Sequence, residues 1–238
     1  MKIPKFESLI VFEDDDYIAI NKPPFVATLD DRANDFNILS LAKAYHKNAT
    51  PCHRIDKETS GILILSKSEE AYRNMAIQFE KRQVSKLYHA ISDGRHEVDS
   101  IMIDAPLGKQ VKGKVKIDFA DGKASSTKVR TAKIYKFHTL FECKPITGRT
   151  HQIRAHLAHI KAPICCDDTY GGKPLYLSKI KKKYNLKKGT EEQPLIKRFA
   201  LHAYSITFKN LKGEDTTLIA EYPKDYAVLV KQLEKNIV

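Results

Sequence analysis

The chain has 238 residues, enough for one large domain or two small ones, and 42% of them are hydrophobic, the ordinary level for a soluble globular fold. Lys and Arg number 41 against 29 Asp and Glu, a formal net charge of +12, and clustered cations gain free energy by releasing counterions from phosphates, so nucleic acid is the expected partner. No apolar run approaches the ~18 residues of a membrane span, no basic amphipathic helix offers an aromatic face to lipid, and no apolar core follows Met1-Lys2-Ile3-Pro4-Lys5 as a signal peptide would require, so a cytoplasmic protein with no membrane attachment is expected. Cys52, Cys143, Cys165 and Cys166 show no Cys-x-x-Cys spacing, which predicts reduced thiols.

Ile10-Val11-Phe12 and Tyr17-Ile18-Ala19-Ile20 flank the acidic turn Glu13-Asp14-Asp15-Asp16 and predict a hairpin, closed by Asn21-Lys22-Pro23-Pro24 because proline cannot donate to a ladder. Asp35 is the predicted cap of a helix carrying Ile38, Leu39, Leu41, Ala42 and Tyr45. The polar stretch from His53 to Gly61 then feeds Ile62-Leu63-Ile64-Leu65, an apolar run that reads as an interior strand holding its loop rigidly. In that loop Asp56 is flanked by Arg54 and Lys57, which favour the carboxylate form, and a carboxylate can act as nucleophile or base. Solvated loop charges are the plain alternative.

Ser66 and Glu69 are spaced as a capping box for a helix with Tyr72, Met75, Ala76 and Phe79 on one face. The strand from Val84 to Ser92 places Lys86, Tyr88 and Ala90 on a common side. Gly108 to Gly122, with Lys109, Lys112, Lys114 and Lys116, reads as a basic hairpin or loop. Strands are expected at 128–135 and 139–144. Thr150 is then the predicted cap of a helix with Ile153, Leu157 and Ile160 as its apolar side, and Arg149, His151 and Arg154 at its start would attract anions. His151, His156 and His159 lack the His-x-x-x-His spacing with an acidic partner that a metal reading needs. A lysine-rich insertion of about 173–197 with a short helix follows, as an RNA grip or a solvated loop. A strand to Phe208, a turn at Gly213, a strand at 216–220 and a helix near Asp225 with Leu229 and Leu233 complete the chain.

His53-Arg54-Ile55-Asp56-x-x-Thr59-Ser60-Gly61 followed by an aliphatic strand closely resembles the signature of the RluA-type pseudouridine synthases, which isomerise uridine within RNA. Further stretches agree in order: Asn21-Lys22-Pro23 after the acidic turn, Lys86-x-Tyr88, Gly148-Arg149-x-His151-Gln152-x-Arg154, Pro163-Ile164 with Asp167-x-x-Tyr170-Gly171, and Arg198 to Ala203. The resemblance implies that Asp56 is the catalytic residue, that Tyr88 lies against the target base as a candidate proton acceptor, and that Arg154 forms an ion pair with Asp56. Around them it implies a substrate-binding set of His53, Arg54, Thr59, Lys86, Arg149, His151, Gln152 and Leu201, with Arg54 filling the space left by a flipped uridine. Cys166 stands where the pattern has glycine, so a different local turn is expected there.

The fold implied is α+β, one catalytic domain over 1–238 without the S4-type domain of many relatives, built on a long mixed, mainly antiparallel sheet flanked by helices with an RNA cleft across it. The implied partner is rRNA or tRNA, the implied state a monomer, and neither metal nor organic cofactor is called for. The competing expectation is a non-catalytic RNA-binding protein that keeps the fold.

Overall fold

A computed structural model describes residues 4–29, 36–109, 111, 113–186 and 189–237. In chain order its strands and α-helices are β1 (Ile10–Glu13), β2 (Tyr17–Lys22), α1 (Ile38–Tyr45), β3 (Thr50–Pro51), β4 (Ser60–Ser66), α2 (Glu69–Glu80), β5 (Ser85–Asp93), β6 (Ile101–Asp104), β7 (Ser126–Ile134), β8 (His138–Pro145), α3 (Gln152–His159), α4 (Leu177–Ile180), β9 (Leu201–Lys209), β10 (Asp215–Ile219) and α5 (Lys224–Lys235). The strand set is mixed and mainly antiparallel, since among the described pairings only β4 with β9 runs parallel. Two compact units divide the chain: 1–87 with 202–221, and 88–201 with 222–238.

In the first unit β4 is buried along its whole length and is the centre of the sheet. It pairs antiparallel with β2, from Tyr17↔Ser66 to Lys22↔Gly61, and parallel with β9 at Ser60↔His202 and Gly61↔Ala203. Alternation then sorts the side chains. Ile18, Ile20, Leu63 and Leu65 meet Phe6, Leu9, Ile38 and Ala42 in one core under α1, and each such burial stabilises by about 1.5–3 kcal/mol. On β2 the intervening Tyr17 donates its hydroxyl to Ala71 O of α2 at 3.2 Å and meets Phe208 of β9 edge-on.

The helix starts differ from expectation by a few residues. Asn37, not Asp35, caps α1, in a reciprocal box with Ser40; Asp35 lies outside the described residues. Ser68, not Ser66, caps α2, because Ser66 is retained by the strand. The inward face of α2 also differs from expectation: it buries Ala71, Met75 and Gln78 and leaves Tyr72 and Ala76 exposed.

In the second unit the antiparallel ladder runs β5-β8-β7-β6. Its core joins Ile91, Phe141, Val129 and Leu140 to Leu157 of α3 and to Tyr226, Leu229 and Leu233 of α5. His151, not Thr150, is the N-cap of α3, in left-handed backbone at φ 54° with no side-chain cap bond. α3 is buried on nearly every side rather than on one apolar face, which polar residues tolerate only when hydrogen-bonded. His156 meets that condition, with Nε2 on Ala105 O at 2.9 Å and Nδ1 on Thr127 Oγ1 at 2.8 Å. Cys166 takes a positive φ of 63°, so the cysteine carries the strain that a glycine would avoid. The segment from 108 to 122 is fastened by Leu107 and Val115, buried with Ala155 and Tyr170. The lysine-rich segment is likewise anchored by Leu175, Ile180 and Ile196, while Lys179, Lys181, Lys182 and Lys183 face outward.

Candidate active site

The loop that carries Asp56 is held from several sides by the first unit. Lys22 is fully buried, and its Nζ donates to Pro23 O at 3.0 Å, Val26 O at 2.8 Å and Lys57 O at 3.1 Å, stitching the loop to the turn after β2. Thr28 Oγ1 donates to Ile55 O at 3.2 Å. Thr59 N–H donates to Asp56 O at 3.0 Å and closes the turn between them, while Thr59 Oγ1 is buried with no hydrogen-bond partner. At the loop's end Ser60 Oγ meets His202 Nδ1 at 2.9 Å, and His202 Nε2 meets Ala220 O at 2.9 Å. The carbonyl can only accept, so in the neutral ring Nε2 carries the proton and Ser60 is the donor to Nδ1. Gly61 follows, where a Cβ would stand 2.1 Å from Ala203 O at φ +118°. Only glycine lets β4 and β9 approach this closely.

His53 and Lys86 are brought together in this unit around Phe79. The His53 ring lies 5.3 Å from Phe79, and Lys86 Nζ stands 5.9 Å over the same ring. Burial of the imidazole, with the Lys86 ammonium nearby, pushes His53 down to about 3, and its Nε2 accepts Ile64 N–H at 3.2 Å. His53 is therefore a neutral, oriented ring. Burial alone pulls Lys86 down to about 8, so its charge sits close to its tipping point. Arg54 is exposed and Asp56 half-buried.

Tyr88, Arg149, His151, Gln152, Arg154 and Leu201 belong to the second unit. Tyr88 is half-buried on β5 opposite Cys143 and packs on the core, and Leu201 is buried in that core at the start of β9. Gln152 uses its whole amide inside the protein: Oε1 accepts from Thr147 Oγ1 at 2.7 Å and Arg149 N at 3.0 Å, and Nε2 donates to Ser126 O and Thr127 Oγ1, both at 2.9 Å. It thereby shapes the turn from which the exposed Arg149 projects.

Arg154 is gripped by residues to which sequence reasoning gave no role. Its guanidinium makes a two-pronged pair with Asp167, Nε to Oδ2 at 2.7 Å and Nη2 to Oδ1 at 2.9 Å, and lies between the rings of Tyr170 and Phe199, at 5.0 and 4.1 Å. The Tyr170 hydroxyl also meets His151 Nδ1 at 3.2 Å and accepts Val115 N–H at 3.0 Å. Asp167 and Tyr170 were visible as the Asp-x-x-Tyr-Gly stretch, but the need of Arg154 for an acid follows only from the all-round burial of α3, which the structure reveals.

An RNA pseudouridylate synthase family model matches residues 16–159, which takes in the Asp56 loop, Lys86-x-Tyr88 and Arg154. The chain belongs to that family. Relatives of the synthase include proteins named ribosomal large subunit pseudouridine synthase C: that of Buchnera aphidicola subsp. Baizongia pistaciae is 34% identical across 98% of this chain and 71% of its own length. That of Vibrio parahaemolyticus is 31% identical across 100% and 70%. Among solved structures, human RNA pseudouridylate synthase domain containing 4 has a TM-score of 0.70 at 23% identity, covering 96% of the synthase and 95% of the human chain, and domain containing 1 has 0.68 at 22%, covering 94% and 87%. The solved structures show the pseudouridine synthase fold, and the family match with the named relatives makes the synthase an RNA-acting isomerase.

Proposed function

We propose that this synthase converts uridine to pseudouridine in large-subunit ribosomal RNA, with Asp56 as the catalytic carboxylate and one catalytic domain over 1–238 acting as a monomer in the cytoplasm. The observation that carries the reading is the bracing of the Asp56 loop. Lys22, Thr28, Thr59 and Ser60 tie its backbone down on both sides of the aspartate, the preorganisation that a reacting group needs. The names of the relatives support ribosomal RNA as the substrate class.

In this reading the target uridine leaves its stack, at a cost of a few kcal/mol, and Arg54 takes the vacated place. Asp56 acts on the nucleotide, the bond from N1 to C1′ breaks, the uracil turns, C5 bonds to C1′, the C5 proton passes to Tyr88, and N1, freed of the sugar, takes up a proton. Arg154, oriented by Asp167, is the catalytic arginine. Lys86, Arg149 and His151 hold the RNA, His53 and Thr59 shape the pocket edge, Gln152 supports Arg149, and Leu201 packs beside the base.

The test is tritium release from [5-³H]uridine-labelled ribosomal and transfer RNA of cells lacking the protein. Wild type should release tritium from the ribosomal pool and Asp56→Asn from neither, with RNA binding retained in both. Release from transfer RNA alone moves the substrate class, and binding without release from either pool returns the non-catalytic reading.

A further inference from the structure

Away from the residues assigned above, three different metal-ligating side chains of the second unit converge. Asp93 ends β5 and His138 opens β8, and the two are register partners across the ladder. Cys165 lies on the segment that crosses the same strand end, where Ile164 bridges Ser92 and Cys165 N–H donates to Ile91 O at 2.9 Å. Cys165 Sγ is 3.2 Å and His138 Nε2 3.8 Å from Asp93 Oδ1, and one donor atom from each residue lies within 4.8 Å of the others.

A thiol donating to a carboxylate would account for Cys165 and Asp93, but it leaves His138 without an explanation. That imidazole is 8% exposed, its Nδ1 has no partner, and its Nε2 is too far from the carboxylate for a hydrogen bond. A buried imidazole nitrogen without a partner is costly, and Nε2, which faces the Asp93 carboxylate beyond hydrogen-bond reach, is left open to a ligand that would fix the ring. The Asp93 carboxylate is meanwhile fixed from behind, where Oδ2 accepts Lys173 N–H at 2.8 Å, the kind of outer support that orients metal-ligating carboxylates.

We infer that Asp93, His138 and Cys165 hold a divalent transition-metal ion, zinc by the character of the donor set, with water in the fourth position. Bond lengths of about 2.0–2.3 Å in a tetrahedron separate donors by roughly 3.3–3.7 Å; the two separations from Asp93 Oδ1 lie at either end of that range, and the third pair, within 4.8 Å, closes onto the ion on binding. One sulfur, one imidazole nitrogen and one carboxylate oxygen suit zinc and disfavour magnesium or calcium. On binding, the thiol proton is released to solvent, and thiolate and carboxylate together neutralise the dication. The ion takes no part in the isomerisation. Cys165 lies two residues before Asp167, so the metal fixes the turn that presents Asp167 to Arg154.

The test uses the full-length chain, stripped with chelator under reducing conditions and titrated with cobalt(II). One ion per chain is expected, with a thiolate-to-cobalt charge-transfer band and the visible absorption of a tetrahedral site, both removed by zinc. Cys165→Ser should lose the charge-transfer band, His138→Gln should weaken binding at least about tenfold, and Cys52→Ser and Cys166→Ser should keep both. X-ray absorption on the zinc-loaded wild type should show a single sulfur neighbour, a reading that stands even if a variant fails to fold. Absence of stoichiometric binding by wild type, a charge-transfer band surviving in folded Cys165→Ser, or a zinc spectrum without sulfur overturns the site.

Discussion

Asp167→Ala removes the carboxylate that takes two N–H groups of a buried arginine. The Arg154 side chain is 6% and that of Asp167 1% exposed, and their two charge-assisted bonds measure 2.7 and 2.9 Å. Deleting one partner of such a pair costs about 3–5 kcal/mol. The Tyr170 and Phe199 rings soften the loss through contacts of about 0.5–2 kcal/mol but supply no acceptor for the freed N–H groups. A chain of this size loses about 2–4 °C of Tm per kcal/mol, so the fall should be roughly 6–20 °C. The chain has no tryptophan, so urea unfolding is best followed by far-ultraviolet circular dichroism. The double variant Arg154→Met/Asp167→Ala removes both charges together and should lose less than the sum of the single losses, by about 2 kcal/mol. In the tritium assay Asp167→Ala should depress kcat more than it raises KM, because it misdirects Arg154 rather than removing an RNA contact. Stability within about 1 kcal/mol of wild type, or strict additivity, would refute the argument that Asp167 holds Arg154.

Three further outcomes follow from geometry already described. Lys86 is charged below about pH 8 and neutral above, so between pH 7 and 9 RNA affinity should fall. The slope of log affinity against log salt should shrink by about 0.7–0.9; Lys86→Met should show the smaller slope throughout, and an unchanged wild-type slope removes Lys86 from the RNA contacts. Gly61→Ala sets a Cβ against the Ala203 carbonyl and should cost about 3 kcal/mol or more, read as a lowered urea midpoint or loss of soluble protein; a near-normal midpoint contradicts the close approach. His53 and His89 are pushed by burial from 6.5 to about 3 and about 4. The unfolded chain therefore takes up protons near pH 6.5 while the folded one does not, and stability present above that pH is lost as pH falls below it. The urea midpoint should drop between pH 7 and 5, and less in His53→Gln and His89→Gln; a flat wild-type profile defeats the assignment.

Local pattern made much of this legible. The buried run Ile62 to Leu65 and the acidic turn before Tyr17 identify their strands unaided, because apolar continuity and turn chemistry act over a few residues. Helix starts were less legible, since several Ser, Asn and Thr stand within capping distance and packing chooses among them, as at Asn37 and Ser68. The motif stretches contained Lys22 and Asp167 but gave roles only to residues such as Asp56 and Arg154, not to these two. Lys22 reads as a surface lysine until the turn it stitches is seen, and Asp167 acquires its role only when the chain folds it onto an arginine thirteen residues earlier. The convergence of Asp93, His138 and Cys165 was invisible for the same reason: their spacing matches no ligand motif, and a strand pairing with a crossing segment creates it.

Tyr170 gives one hydroxyl two constituencies. Its oxygen accepts the amide of Val115, in the basic segment between β6 and β7, and also meets His151, while its ring lies against Arg154. Opening of that segment breaks the bond at Val115 and uncovers the Tyr170 hydroxyl. The exchange rate of a single backbone amide proton, that of Val115, thus gauges how often the segment lifts from the ring that lies against Arg154, readable in the resting protein without RNA or turnover.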